Sequence, residues 1–443
     1  MMRLRAGDAR WRELLDRRRR KWRRDQARVL DRARAILDDV RRSGDRAVLR
    51  YTAKFDGVTL RADGIRVRPR EIAAAAARCD PAGLRAMRLA ARRIEAFHRR
   101  QIPKGWSMGR QGERLGQRVS PLSRVGIYVP GGRAVYPSTV LMAGIPARLA
   151  GVPERVMCTP PGPDGRVSPW VLAAADLAGV TRVYKVGGVQ AVGAMAYGTE
   201  TIRPVDKVVG PGNAYVAAAK RLVFGEVDID HIAGPSELLV VADDSARPDW
   251  VAADLLAQAE HDPDALVGLV AVGSRGKSRR LADRVIEAVR EGLRGLERRR
   301  IAAGAWRRGG FVIEVSDVET AADVAAAVQP EHLSLVVRNA ARWADRFSPA
   351  GAVFLGGYSP VAAGDYVAGP NHVLPTGGTA RFASPLGVED FVKRTSVVSL
   401  GRDALARIAE AGATFAELEG LDAHAASLRI RFGGRAGTGK KER

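Results

Sequence analysis

The stretch Val119-Ser-Pro-Leu-Ser-Arg-Val-Gly-Ile-Tyr-Val129, which is followed by Pro130-Gly-Gly132, decides the fold class of this chain. Its β-branched and aromatic residues favour a strand, and the proline and glycines favour a tight turn at the strand's end. Beyond the turn, helix and strand patterns alternate. The sequence predicts a helix over 138–150, a strand over 155–159, a helix over 168–178 and a strand over 182–186 that opens into another helix. Such alternation indicates βαβ units and a parallel sheet.

A second alternation of the same kind begins with a predicted strand over residues 238–242. It continues with helix 249–259, strand 265–272, helix 275–300, strand 310–315, helix 318–328 and strands 333–337 and 352–355. The two alternations predict two similarly built α/β domains.

The regions outside these alternations have helical patterns. Residues 6–42 predict a long helix that ends near Ser43-Gly44, and residues 47–55 and 71–100 predict further helices. After Pro385 the chain is expected to be mostly helical as far as Ser427, and the glycine- and lysine-containing tail is expected to be disordered.

The composition is that of an ordinary globular protein. A chain of 443 residues with 46% hydrophobic residues can fill two or three domains. No apolar run is long enough to span a membrane and no signal-type apolar segment follows the basic N-terminus, so a cytoplasmic location is expected. The two cysteines, Cys79 and Cys158, have no metal-type spacing, so any metal site must use histidine, carboxylate or amide ligands.

The formal charge of +23 would favour either the binding of nucleic acid or the attraction of an anionic cofactor. The charge is concentrated in the block of residues 17–24, which we call the basic block, and in the tail Lys440-Lys-Glu-Arg443. No nucleic-acid-binding motif accompanies this charge, so specific nucleic-acid binding is not expected. Salt-dependent binding to DNA would favour that alternative.

Three glycine-rich turns follow predicted strands in the first α/β region, at residues 130–132, 187–188 and 210–213. A glycine turn after a parallel strand exposes N–H groups at the start of the next helix, where a phosphate is favoured. None of the turns has the GxGxxG pattern, and each one alone is also explained by ordinary turn chemistry.

Several polar residues are candidates for chemistry. Gln258 and His261 are three apart in a predicted helix, so they could bind one metal ion or could lie on a solvated face. Glu331 and His332 precede a predicted strand, as an acid/base pair or as helix-entry residues. Asp365 and His372 share a polar loop, a common place for functional groups. Glu419 and His424 belong to an acidic segment that would otherwise be a solvated helix face.

An ordered series of motifs across the chain resembles the histidinol dehydrogenase family. The resemblance covers roughly residues 26–431. It leaves out the basic block and the tail after Phe432, and we interpret both as solvated extensions. The motifs are Gly126-Ile-Tyr-Val-Pro-Gly-Gly132, Gly187-Gly-x-Gln-Ala191, Asp206-Lys-x-x-Gly-Pro-Gly-Asn213, Ile229-Asp-x-x-Ala-Gly-Pro-Ser-Glu237, Val251-Ala-Ala-Asp-Leu-Leu-Ala257, Glu260-His261, Pro330-Glu-His-Leu333, Gly364-Asp-Tyr366, Asn371-His-Val-Leu-Pro375 and Leu421-x-Ala-His424.

The resemblance implies a zinc- and NAD-dependent enzyme that oxidises L-histidinol through L-histidinal to L-histidine, the last step of histidine biosynthesis. It implies that Glu331 and His332 are the catalytic acid/base residues. The implied metal ligands are Gln258, His261, Asp365 and His424. The implied further substrate contacts are Ser236, His372 and Glu419, and the implied cofactor contacts are Tyr128, Gln190 and Asn213. Relatives that oxidise another polar alcohol remain an alternative.

The resemblance also implies an organisation for the whole chain, with two Rossmann-like parallel-sheet domains, helical N- and C-terminal extensions and an intertwined homodimer. In that organisation Glu419 and His424 complete the site of the partner subunit. The expected segments are a basic helical extension (1–25), a zinc and substrate domain (26–110 with 236–384), an NAD-binding domain (111–235), a helical dimerisation arm (385–432) and a disordered tail (433–443).

Overall fold

The computed structural model describes residues 1–5, 7–8, 10–131, 135–232, 234–347 and 349–433. These residues form two compact units. The first contains residues 1–102 and 122–391, and the second contains residues 103–121 and the described residues from 392 onward. The expected disorder of the tail concerns residues that, apart from Gly433, lie outside the described ranges. Among the described residues, no helix has the length and apolar character needed to cross a membrane.

The strands occur along the whole chain. In chain order they are β1 (Met2–Arg5), β2 (Trp106–Met108), β3 (Glu113–Pro121), β4 (Arg124–Tyr128), β5 (Glu154–Thr159), β6 (Arg182–Lys185), β7 (Lys207–Val209), β8 (Asp228–Ile229), β9 (Glu237–Ala242), β10 (Leu266–Val272), β11 (Gly310–Val315), β12 (His332–Val336), β13 (Ala352–Leu355) and β14 (Val392–Leu400).

The helices alternate with the strands in the first unit and close the chain in the second. They are α1 (Arg10–Asp56), α2 (Pro69–Ala73), α3 (Pro81–His98), α4 (Pro137–Leu149), α5 (Pro169–Ala178), α6 (Gly188–Tyr197), α7 (Ala214–Val223), α8 (Pro248–Ala259), α9 (Arg275–Gly295), α10 (Arg299–Gly309), α11 (Val318–Val328), α12 (Ala340–Trp343), α13 (Val361–Tyr366), α14 (Arg402–Leu418) and α15 (Asp422–Arg429). Short 3-10 helices lie at Ala62–Gly64, Ala76–Arg78, Arg99–Gln101, Ala344–Phe347, Thr379–Arg381, Val388–Phe391 and Ile430–Phe432.

Two parallel sheets form the centre of the first unit. One has five strands in the order β6-β5-β4-β7-β8, and the other has six in the order β1-β11-β10-β9-β12-β13. Helices cover both faces of each sheet, which is why the central strands read as continuous apolar runs. The predicted α/β class with two parallel-sheet regions is confirmed.

The long N-terminal helix breaks where the sequence predicted. Gly44 has φ 49°, a left-handed backbone value that glycine adopts at little cost, and it separates the two helical parts of α1. The segment that precedes the basic block packs against the first unit. Strand β1 pairs with β11, and Trp11, Leu14 and Leu15 are buried against the six-stranded sheet.

The second unit contains a strand that we did not predict. Strand β14 pairs with β3 along its full length in an antiparallel sheet completed by β2, whereas this segment was expected to be helical. The opening run 119–129 is therefore divided between two sheets, because Pro121 ends β3 and β4 begins at Arg124. Helices α14 and α15 follow β14, as the helical pattern near the C-terminus predicted.

Candidate active site

A cavity of about 1330 Å3 lies in the first unit, lined by loops of both parallel sheets. Turns at the carboxyl ends of β4, β6 and β7 form one side, the place where open parallel sheets bind ligands. The other side is formed by residues that precede or begin β9 and β12 and by the end of α8. The cavity thus joins the carboxyl edge of one sheet to the amino edge of the other.

Glu331 and His332 lie where the chain enters β12. Gln329 ends α11 with φ 54°, a left-handed value that is uncommon outside glycine, and Pro330 follows it. This sharp turn directs the next two residues into the cavity. The exposed fractions are only 7% for Glu331 and 5% for His332, so both side chains are held largely out of solvent.

Residue Glu237 fixes both members of this pair through its backbone. Its N–H donates to Glu331 Oε2 at 2.9 Å, and its carbonyl oxygen lies 3.2 Å from His332 Nδ1. A carbonyl oxygen can only accept, so Nδ1 carries the proton of this contact. In the neutral ring, Nε2 is then left as the basic nitrogen. Nε2 is buried and has no hydrogen-bond partner among the described atoms.

Two carboxylates flank the imidazole of His332. Glu331 Oε2 lies 3.6 Å from Nδ1, and Asp365 Oδ1 lies 3.6 Å from Nε2. Burial alone would lower the pKa of His332, but these two neighbours raise it to about 9. Burial raises the pKa of Glu331, although the adjacent imidazole opposes that shift. The three groups form one electrostatic cluster.

The cavity brings together three of the four proposed metal ligands, Gln258, His261 and Asp365. Gln258 is in the last turn of α8 and is 4% exposed. The helix ends at Ala259, so the prediction that His261 lies on the same helix is wrong. The chain turns there instead, and His261 N–H donates to the Gln258 carbonyl oxygen at 3.3 Å, which keeps the two residues adjacent.

Asp365 and His372 are joined through the backbone of their loop. His372 Nδ1 lies 2.7 Å from the Asp365 carbonyl oxygen, and burial lowers the pKa of His372. Ser236 lines the same cavity just before β9. Within the described ranges, no group of three or more His, Cys, Asp or Glu side chains has the arrangement of a metal site.

The three proposed cofactor contacts line the opposite side of the cavity. Tyr128 ends β4, and its hydroxyl accepts the Gly188 N–H at 3.1 Å, while burial raises its pKa to about 12. Asn213 caps α7, because its Oδ1 accepts from the N–H groups of the second and third residues that follow. Gln190 is fully buried, and neither its amide oxygen nor its amide nitrogen has a partner among the described atoms.

Glu419 and His424 belong to the second unit. Glu419 follows the last residue of α14, and His424 is in the first turn of α15. Both are exposed. Their proposed roles at the site remain predictions.

Comparison with known proteins decides the family. A family model described as histidinol dehydrogenase matches residues 19–432. The histidinol dehydrogenase of Gluconobacter oxydans (strain 621H) is 52% identical over 409 residues, which cover 92% of this chain and 94% of the relative. That of Bradyrhizobium diazoefficiens is 53% identical over 401 residues, which cover 90% and 92%. The chain belongs to the histidinol dehydrogenase family.

The fold agrees with this membership. The crystal structure of histidinol dehydrogenase from Elizabethkingia anophelis superposes with a TM-score of 0.86 at 38% identity, covering 91% of this chain and 92% of that one. The chain is accordingly an oxidoreductase.

Three residues that support the site were missed by sequence reasoning. Glu237 contacts the acid/base pair through backbone atoms, and a backbone contact cannot be predicted from the type of residue. Lys220 and Asp230 form an ion pair at the cavity wall. The sequence does contain one signal for this ion pair, which is a lysine inside the alanine-rich run Ala217-Ala-Ala-Lys220. An apolar helix face rarely buries a cation without a partner.

Proposed function

We propose that this member of the histidinol dehydrogenase family uses NAD to oxidise L-histidinol through L-histidinal to L-histidine, the last step of histidine biosynthesis. The observation that carries the proposal is the buried Glu331–His332 pair, which shares one cavity with His261, Asp365 and His372. A site that must remove a proton, activate water and hold a polar substrate needs this combination of groups.

In the first half-reaction, His332 takes the proton of the substrate alcohol as hydride passes from carbon to NAD. The contact between Nδ1 and the Glu237 carbonyl supports this role, because in the neutral ring it leaves Nε2 as the basic nitrogen on the cavity side. The neutral ring requires that a bound cation offset the charge of Asp365, which helps to raise the pKa of His332. The products are the aldehyde and NADH. The imidazole then holds the released proton.

In the second half-reaction, Glu331 takes a proton from a water that attacks the aldehyde. Its buried carboxylate is a stronger base than a solvated one, since burial raises its pKa. The Glu237 N–H holds one oxygen of the carboxylate, which leaves the other for water. His332 would then release its first proton, and a second NAD would replace the NADH. Hydride transfer from the hydrated aldehyde to this NAD, with loss of a hydroxyl proton to His332, would give the carboxylic acid and a second NADH.

The donor set suits a zinc ion. Gln258 and Asp365 supply oxygen atoms and His261 supplies nitrogen, a mixed set that zinc accepts, and we propose that His424 completes it. When bound, zinc would hold the imidazole and amine of the substrate and would draw the charge of Asp365 away from His332. Ser236, His372 and Glu419 would make further substrate contacts.

The opposite side of the cavity suits a dinucleotide. The unpartnered amide of Gln190 supports this assignment, since a buried amide without hydrogen bonds is costly unless a ligand satisfies it. The N-terminus of α7, capped by Asn213, is a favourable place for a phosphate. Tyr128 borders the same turn and would contact the cofactor beside it.

We also propose that the enzyme is a homodimer in which Glu419 and His424 complete the site of the partner subunit. The exposure of both residues supports an intermolecular role. The domain boundaries and the cytoplasmic location expected from the sequence remain predictions.

The yield of NADH per histidinol consumed tests the proposal. Two NADH per histidinol are expected, with loss of activity after treatment with a zinc chelator and recovery when zinc is added back. His261→Asn should lower the zinc content of the purified protein, and Lys393→Asn on β14 is a control that should leave it unchanged. A yield of one NADH, or activity that a chelator does not affect, would contradict the mechanism.

A further inference from the structure

The turn Gly210-Pro-Gly-Asn213 joins β7 to α7 and lines the cavity. Gly210 has φ 114°, which side-chain-bearing residues rarely adopt, and a Cβ there would lie 2.1 Å from the Tyr128 carbonyl oxygen. The turn therefore lies close against the end of β4, in a conformation that glycine adopts more readily than any other residue.

One buried ion pair holds Gly210 in this turn. Asp230 Oδ2 accepts the Gly210 N–H at 2.7 Å, and Lys220 Nζ donates to the Gly210 carbonyl oxygen at 2.9 Å. The ring closes because Lys220 Nζ also pairs with Asp230 Oδ1. Both backbone groups of a single residue are thus bound by two opposite charges.

The burial of this pair points to a positioning role. The exposed fractions of the two side chains are 2% for Lys220 and 1% for Asp230. Removing two charges from water is costly, and well-packed apolar residues often stabilise a fold as well as a buried pair does. An apolar pair could not, however, donate to one backbone group of Gly210 and accept from the other.

We propose that Lys220 and Asp230 are positioning residues that hold the Gly210–Asn213 turn in the shape required for dinucleotide binding. This inference rests on the proposed use of NAD. The pair does not take part in the chemistry. It fixes Gly210, and through it the adjacent Asn213 cap and the N-terminus of α7.

The ion pair is expected to affect the affinity for the dinucleotide and not the affinity for histidinol. Loss of the two contacts lets the turn relax, so the dinucleotide must reorder it on binding and its affinity falls. The residues proposed to hold histidinol are on other segments, so the affinity for histidinol is unaffected. A general loss of fold would lower both affinities together.

The experiment uses the full-length protein with Lys220→Met and Asp230→Asn combined, since the double variant leaves no unpaired buried charge. The Kd for NAD, measured by direct titration, is expected to rise at least tenfold, which corresponds to about 1.4 kcal/mol. The KM for histidinol at saturating NAD is expected to change less than twofold. Asp230→Asn alone keeps Lys220 as a donor to the Gly210 carbonyl oxygen, which the double variant lacks, and should show a smaller rise.

A matched control is the pair Arg124–Glu154 in the same sheet, which does not line the cavity. Arg124→Met with Glu154→Gln should leave the Kd for NAD unchanged. An unchanged Kd in a folded Lys220→Met/Asp230→Asn protein would overturn the inference, and so would equal losses for NAD and histidinol. Failure of the wild-type protein to bind NAD would instead contradict the proposed function.

Discussion

Glu237 is expected to make the stability of the protein depend on pH in a direction opposite to that of most carboxylates. Burial, with the neighbouring Glu331 charge, raises the pKa of Glu237 from 4.5 to about 8, although Arg18 opposes the shift. Its Oε2 is buried and has no hydrogen-bond partner among the described atoms. The folded protein therefore favours the protonated carboxyl, whereas the unfolded chain ionises it near its ordinary pKa.

The direction and size of this pH dependence follow from the pKa of Glu237 in the unfolded chain, about 4.5, and in the folded protein, about 8. Below about pH 4.5 the group is neutral in both states, and as the pH rises towards 8 the folded state is destabilised by about 1.4 kcal/mol per unit. The total destabilisation by the ionisation of Glu237 is about 1 kcal/mol near pH 5 and about 4 kcal/mol near pH 8. Glu237→Gln has nearly the same shape and no charge to bury. When the pH is raised from 5 to 8, the free energy of unfolding of the variant should therefore increase by about 3 kcal/mol relative to that of wild type.

Urea unfolding of wild type and Glu237→Gln, followed near pH 5 and near pH 8, measures this difference directly. Effects of glutamine that do not depend on pH cancel in the comparison. Glu154→Gln is a control that should show no such pH dependence. Arg124 lowers the pKa of Glu154 to about 2, so between pH 5 and pH 8 this carboxyl is largely ionised in both the folded and the unfolded state, and the stability difference from wild type should be nearly the same at both pH values. A stability difference between Glu237→Gln and wild type that is the same at both pH values would refute the reasoning.

The remaining predictions concern the site. Glu331→Gln should slow oxidation of histidinal at least tenfold more than oxidation of histidinol, measured in separate half-reactions, because only the aldehyde step needs the water-activating carboxylate; equal losses would contradict that role. Co-expressed His261→Asn and His424→Asn subunits, each inactive alone, should recover about a quarter of wild-type activity, since half the dimers would be hybrids with one intact site; no recovery would contradict a shared site. Gly210→Ala should weaken NAD binding and destabilise the fold by about 1–3 kcal/mol in urea unfolding, because φ 114° and the contact with the Tyr128 carbonyl both disfavour a Cβ; unchanged binding would show that the turn tolerates it.

The sequence predicted the parallel sheets well because burial on both faces makes each strand a continuous apolar run. Strand β10 is buried along all of Leu266–Val272, and its limits could be predicted to within a residue. Strand β1 was missed because Met2–Arg5 has only four residues and alternates arginine with apolar residues. Such a short edge strand depends on its partner β11 for its existence.

Strand β14 shows a different limit of sequence reasoning. Val392–Leu400 contains four β-branched residues, which was a usable signal, but lysine, arginine and serine separate them and most of its residues are exposed. What makes it a strand is its register with Glu113–Pro121, more than 270 residues earlier in the chain. Local sequence patterns do not predict a pairing between segments so far apart in the chain.

Two arginines of the basic block were misjudged for a related reason. Its charge density indicated a solvated surface, yet the Arg18 guanidinium donates to the Asp264 carbonyl oxygen at 2.5 Å, and that of Arg19 donates to the Ala327 carbonyl oxygen at 2.9 Å. Long arginine side chains can pack their methylene groups while satisfying backbone acceptors, so charge alone does not predict solvent exposure. Arg18 also lowers the pKa of Glu237, which links the block to the site.

The candidate site was predictable in its side chains but not in its supports. Glu331, His332, Asp365 and His372 are residue types that acid/base and metal-binding chemistry requires, so the sequence reveals them. Glu237 acts on Glu331 and His332 through an N–H and a carbonyl that every residue except proline possesses. The acid/base pair is therefore positioned by the start of β9, where parallel pairing with β12 brings two backbone groups to two side chains. A substitution at Glu237 changes its own ionisation but leaves that backbone contact in place, so the stability effect of the side chain and the positioning effect of the backbone can be measured separately.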